Sequence, residues 1–161
     1  MRYLIFFFIS LLALSLQTTV FARLSLFGAA PDLILILVVC FAFLEGTYGG
    51  MLAALIGGLL ADIFSTHVLG VQLLSKLLLA YLIGLTEEKI FKENPMVSVV
   101  GIIFATFIDY FLTCFLYQSF GIIKINFLDM QRIFWGELIY NIVLIPVIYV
   151  LLYKWLIKVK N

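Results

Sequence analysis

Asp62, Lys76, Asp109, Glu137 and Asn141 stand inside long apolar stretches, where a charge or an amide needs a reason to be. An ionisable side chain in hydrocarbon costs about 3 kcal/mol or more, so such residues pair, reach water, or line a path for an ion or proton. Lys76 precedes the loop acid Glu87 by 11 residues and Asp109 follows Pro95 by 14. At about 1.5 Å per helical residue the two differ in depth by only about 5 Å, which predicts an ion pair between them.

Polar neighbours at i, i+3 or i+4 extend each position into an inward-facing stripe. Gln72 accompanies Lys76, Thr106 and Thr113 flank Asp109, and Tyr140 and Asn141 follow Glu137. An intramembrane core of Lys76, Asp109, Glu137 and Asn141 could bind a solute, relay protons or fix helix register. One lysine and one aspartate at matched depth neutralise each other, which favours the structural role.

Enzymatic chemistry finds no such support. The chain has one histidine, His67, and lacks the His-Glu-x-x-His, Gly-x-Ser-x-Gly and phosphate-loop patterns. The reading is therefore a non-enzyme with no cofactor and no metal site.

Small residues form the second signal. Gly49, Ala53, Gly57 and Ala61 repeat every four residues, and Gly46, Gly50, Ala54 and Gly58 form a neighbouring row that ends at Asp62. Such rows let helix backbones approach closely. They suit packing inside this chain's own bundle, or docking of a second membrane protein on a partner-binding face made of Gly46, Gly49, Gly50, Ala53, Ala54, Gly57, Gly58 and Asp62. Asp62 itself suits either a cap on the following helix or a partner contact.

The elements that must hold these residues follow from hydropathy. Of 161 residues 65% are hydrophobic and 12% charged, about half the charge fraction of a soluble domain. At roughly 20 residues per crossing the chain holds about six transmembrane helices in one all-α domain spanning 1–161, with nothing left for a soluble domain. The expected spans are 3–22, 31–44, 48–63, 68–85, 95–117 and 133–153. The first resembles a signal peptide but is long enough to remain as an anchor. Glycines around Glu45 separate the second span from the third, and the second is too short to cross unaided. Ser65 or Thr66 is the expected cap of the fourth span, and Asn94-Pro95 opens the fifth. Residues 118–132 mix apolar side chains with Lys124, Asp129 and Arg132, which reads as a segment lying on the membrane surface.

With six spans, Arg2, Lys89, Lys92, Lys154, Lys158 and Lys160 fall on one side and Arg23, Lys124 and Arg132 on the other. That asymmetry predicts cytoplasmic termini. A net charge of +1 offers nucleic acid no attraction, and Cys40 and Cys114 sit in apolar runs as small hydrophobes.

A set of short motifs then appears in order. They are Gln17-Thr18-Thr19, Pro31-Asp32-Leu33, Glu45-Gly46 with Gly49, Gly57-Gly58-Leu59-Leu60-Ala61-Asp62-Ile63, Leu69-Gly70 and Tyr81-Leu82-Ile83-Gly84. Over roughly residues 17 to 95 the chain resembles the bacterial rod-shape-determining MreD family, with Gln17, Pro31, Asp32 and Gly70 as motif residues. Beyond residue 95 only length and hydropathy agree. The resemblance implies a non-catalytic inner-membrane component of the cell-elongation (peptidoglycan synthesis) complex. Its implied partners are MreC, the MreB filament, a RodA glycosyltransferase and a penicillin-binding transpeptidase. MreD-like proteins are also similar in size and span count to the solute-binding subunits of energy-coupling-factor vitamin transporters, which supplies the alternative reading. Such a subunit needs an open polar pocket and a small-residue face on an early helix, and the Leu- and Phe-rich first span lacks that face.

Overall fold

From Leu33 to Leu44 every side chain is apolar. A helix with no polar face belongs at the centre of a bundle, and each of these twelve residues is buried. Around it the computed structural model describes residues 2–160 apart from 22, 25–27, 66–67, 87–94 and 122–126. Five helices result: α1 (Arg2–Leu16), α2 (Leu33–Phe64), α3 (Val71–Gly84), α4 (Pro95–Ser119) and α5 (Phe127–Lys160). Among the described residues there are no strands.

Among the described residues four stretches are long and apolar enough to cross a membrane, Leu4–Phe21, Leu33–Phe64, Met96–Ser119 and Gln131–Leu156. The chain is a multi-pass, all-helical membrane protein. At 14 residues, or about 21 Å, α3 is apolar but shorter than the roughly 30 Å hydrocarbon core.

α2 doubles back on itself. Gly46 has φ 76° and ψ −167°, a backbone region that side chains with a Cβ avoid. A Cβ placed on Gly50 would lie 2.7 Å from the Cα of Ala42, and one on Gly57 would lie 2.9 Å from a methyl of Ile34. Residues eight apart stand about 12 Å apart along a straight helix. The limb after Gly46 therefore runs antiparallel against the limb before it. Its outer face carries Tyr48, Met51, Leu55, Leu59 and Ile63, all exposed.

α1 ends in a π-helical turn, Gln17–Phe21. Thr18 donates its hydroxyl to the Leu14 carbonyl at 2.9 Å and Thr19 donates to that of Ser15. Such back-bonding loosens a helix and here widens its last turn.

Three boundaries differ from the sequence reading. α3 starts at Val71 rather than Val68, and its cap is Gly70, not Ser65. Ser65 instead closes α2, donating its N–H to the Ala61 carbonyl and its hydroxyl to that of Asp62. Residues 127–132 form the first turns of α5 instead of a separate surface segment, because Phe127-Leu128-Asp129-Met130-Gln131-Arg132 contains no helix breaker. The helix also runs on past Tyr153 to Lys160. Thr66, Glu87, Lys89, Lys92, Asn94 and Lys124 lie outside the described residues.

Candidate functional site

The site is built where α2 begins inside the bundle. The first N–H groups of a helix have no partner within it, and hydrocarbon offers no water to satisfy them. Three side chains do so here. Gln17, aimed by the π turn of α1, accepts from the Leu33 N–H at 3.2 Å. The Asp32 carboxylate accepts from the Leu35 N–H at 2.9 Å, and the Asn141 carbonyl oxygen accepts from the Asp32 N–H at 3.1 Å. Asp32 also places its negative charge at the positive end of the α2 dipole.

Lys76 meets this cap from α3. Its ammonium lies 2.9 Å from Asp32 Oδ2 and 3.6 Å from Asp109 Oδ2 of α4, and donates to Gln72 Oε1 at 2.5 Å. The lysine is completely buried. Asp109 also accepts from the Ser75 hydroxyl. Glu137 of α5 brings a third carboxyl group, so that one oxygen from each of Asp32, Asp109 and Glu137 lies within 4.8 Å of the other two. That spacing would suit a cation. Lys76 supplies the positive charge beside two of the three, which makes the cluster an internal ion network joining α2, α3, α4 and α5.

Asn141 ties the network to α4 by donating from Nδ2 to Thr106 Oγ1 at 3.0 Å, while Tyr140 donates its hydroxyl to the Leu24 carbonyl. Thr113 shares the stripe of Asp109 but does not join, since its hydroxyl is buried without a hydrogen bond. All four residues expected in an intramembrane polar core thus lie within one connected cluster. What the sequence reading missed is Asp32 as the nearer partner of Lys76. The signal was available: a span too short to cross must start below the surface, and its capping acid goes in with it.

Asp62 serves α3 as Asp32 serves α2. It is completely buried, and its two oxygens accept from the N–H groups of Gly70, Gln72 and Leu73 at 2.9, 2.9 and 3.0 Å. Gly70 can present its N–H because it adopts φ 103°. Asp62→Ala should cost about 2 kcal/mol, the upper range for a lost cap, and Asp62→Asn less. Hydrogen exchange in detergent should accelerate at the amides of Gly70, Gln72 and Leu73 first. Unchanged exchange there would remove Asp62 from this role.

The eight residues expected on a partner-binding face all sit inside the chain. Gly50 packs on Ala42, Gly57 on Ile34, and a Cβ on Gly58 would meet the backbone of Leu73 at 2.8 Å. Ala53 and Ala54 are fully buried. The small residues of this limb face two neighbours, the first limb of α2 at Gly50 and Gly57 and α3 at Gly58.

Among known proteins, the model of the rod shape-determining protein MreD family matches residues 1–159. The chain belongs to that family. No curated protein and no solved structure matches it. The match extends well past residue 95, where the motif resemblance ended, so Asp109, Glu137 and Asn141 lie within the family region. Of the motif residues, Gln17 and Asp32 cap α2, Gly70 caps α3, and Pro31 is buried beside Asp32. In this MreD-family chain these four residues therefore mark the two helix starts that the bundle encloses.

Proposed function

We propose that this chain is a non-enzymatic, six-pass component of the bacterial inner membrane that acts in cell elongation by holding an MreC-like membrane partner. Membership of a rod shape-determining family is the observation that carries this reading. Counting the two limbs of α2 and the short α3 separately supports six passes, and the Lys/Arg asymmetry supports cytoplasmic termini. The RodA-like glycosyltransferase, the penicillin-binding transpeptidase and the MreB filament would be reached through the same assembly. The chemistry of the buried cluster fits a scaffold: Lys76 is matched by Asp32 and Asp109, and Asp32 also by the start of α2, which fixes how these helices meet. Because the small-residue rows are used internally, the partner meets the lipid-facing side of the bundle.

One observation favours the solute-binding alternative. A cavity of about 170 Å³ opens beside Asp32, lined by Gln17, Thr18, Ser65 and Gln72 among others. Ligand pockets for drug-sized molecules run from roughly 300 to 1,000 Å³, so a vitamin would not fit without rearrangement.

The test is depletion combined with purification. Cells depleted of the chain should lose rod shape and regain it on re-expression, and the tagged protein, extracted in mild detergent, should retain an MreC-like protein. Rod-shaped growth after full depletion, or a purified chain that retains no such partner, would overturn the proposal.

A further inference from the structure

Between α1, α2 and α5 lies a side groove with apolar walls and with the exposed Lys154 beside its Trp155 end, and from that pairing we infer a binding site for an anionic phospholipid. The groove encloses about 430 Å³ between α1, α2 and α5, with Ile9, Leu12, Leu16, Leu37, Leu151 and Trp155 among its walls. Gln17 meets Leu33 and Asn141 meets Asp32, so the end of α1, the start of α2 and the middle of α5 share one level. From that level α1 runs back to Arg2 over 15 residues and α5 runs forward to Trp155 over 14. Both cover about 21 to 22 Å, which brings Arg2 and Trp155 to the same end of the bundle.

Along α1 the lining from Leu16 to Ile9 covers about 10 Å, and along α5 that from Ile148 to Trp155 covers the same. Measured from the shared level, the lining as a whole runs from Leu16 on α1 to Trp155 on α5, so the groove is about 20 Å long and opens at the end that carries Trp155. Trp155 stands where an interfacial aromatic belongs. Lys154 beside it is exposed, and Lys158 occupies the next register position of the α5 stripe that runs through Leu151 and Trp155. Hydrocarbon walls alone would accept any lipid tail. The choice comes from the end of the groove, where each lysine near the surface favours an anionic headgroup by roughly five-fold.

The chain has two tryptophans, Trp135 and Trp155, and only Trp155 lines the groove. Trp135→Phe makes Trp155 the sole indole reporter. The protein would be reconstituted in phosphatidylcholine vesicles holding a small fraction of either brominated phosphatidylglycerol or brominated phosphatidylcholine. The phosphatidylglycerol should quench Trp155 several-fold more than its share of the bilayer, and Lys154→Gln with Lys158→Gln should abolish that excess. The reciprocal Trp155→Phe variant, reporting from Trp135, should show no preference. Equal quenching by the two lipids overturns the inference, as does a preference that survives both lysine substitutions. Quenching of Trp155 by neither lipid, with cross-links between copies across the groove, would give it to a second copy of the chain and overturn the inference as well.

Discussion

Replacing Lys76 with methionine should leave little folded protein in the membrane. The ammonium is the positive partner of Asp32 and Asp109, at 2.9 and 3.6 Å, and Glu137 stands beside both. Methionine matches the length of the lysine stem and keeps its packing, so the loss is electrostatic. Removing one member of a buried pair commonly costs about 3 to 5 kcal/mol, because the partner stays behind uncompensated. Here two carboxylates lose their cation together, and Gln72 Oε1 loses its donor. A whole domain is stable by only about 5 to 15 kcal/mol. The measurement is the yield and thermal midpoint of the detergent-extracted monomer.

The control that separates charge from shape is the combined variant Lys76→Met, Asp32→Asn, Asp109→Asn. Asparagine keeps an acceptor for the Leu35 N–H and for the Ser75 hydroxyl, so the helix start and the α3–α4 contact retain their hydrogen bonds. Neutralising both sides of a buried pair is often tolerated where removing one is not. The triple variant should therefore recover most of the yield lost by Lys76→Met. If it is no better than the single change, the lysine matters through something other than these two acids. A triple variant that is abundant but no longer supports rod-shaped growth would show that the charges serve the assembly as well as the fold.

How much of this was legible in the sequence depends on whether one residue's neighbours are close along the chain. The stripes of Lys76, Asp109 and Glu137 were readable because helical periodicity is local, and the pairing of Lys76 with Asp109 followed from depth alone. Gly46 was readable as a break because glycines crowd a single acid between two apolar runs. Asp32 was read only as a motif residue. Its second role depends on α3 and α4 converging on the start of α2, and no spacing within 31–44 states that. The capping of α3 by Asp62 was one of the two roles open to it in the sequence, and what hid it as the actual cap is that Ser65 and Thr66, also good caps by type, lie nearer to the expected helix start. The extra turn that lets Gly70 face Asp62 is a property of the loop's path.

The small-residue rows pose the sharpest contrast between a surface and a core, and Gly50→Leu decides it. On a free docking face, leucine would leave the chain folded and abolish only partner binding. In this fold even a bare Cβ at Gly50 would stand 2.7 Å from both the Cα and the Cβ of Ala42. Neither atom can turn away, because one is backbone and the other is fixed to it. The limbs of α2 would have to separate, and the limb they would expose, residues 33–44, is the centre of the bundle. Overpacking in a core costs about 1 to 3 kcal/mol when side chains can shift. A collision with backbone exceeds that, since the dispersion contacts of a whole helix pair are lost at once. The expected result is a chain that aggregates on extraction instead of one that merely fails to bind. Met51→Ala, one residue further on but on the lipid-facing side, should extract as a monomer with nearly unchanged stability. If Gly50→Leu instead yields a monodisperse protein as stable as the parent, the limbs do not lie against each other as described. The rows would then return to the list of surfaces open to a partner.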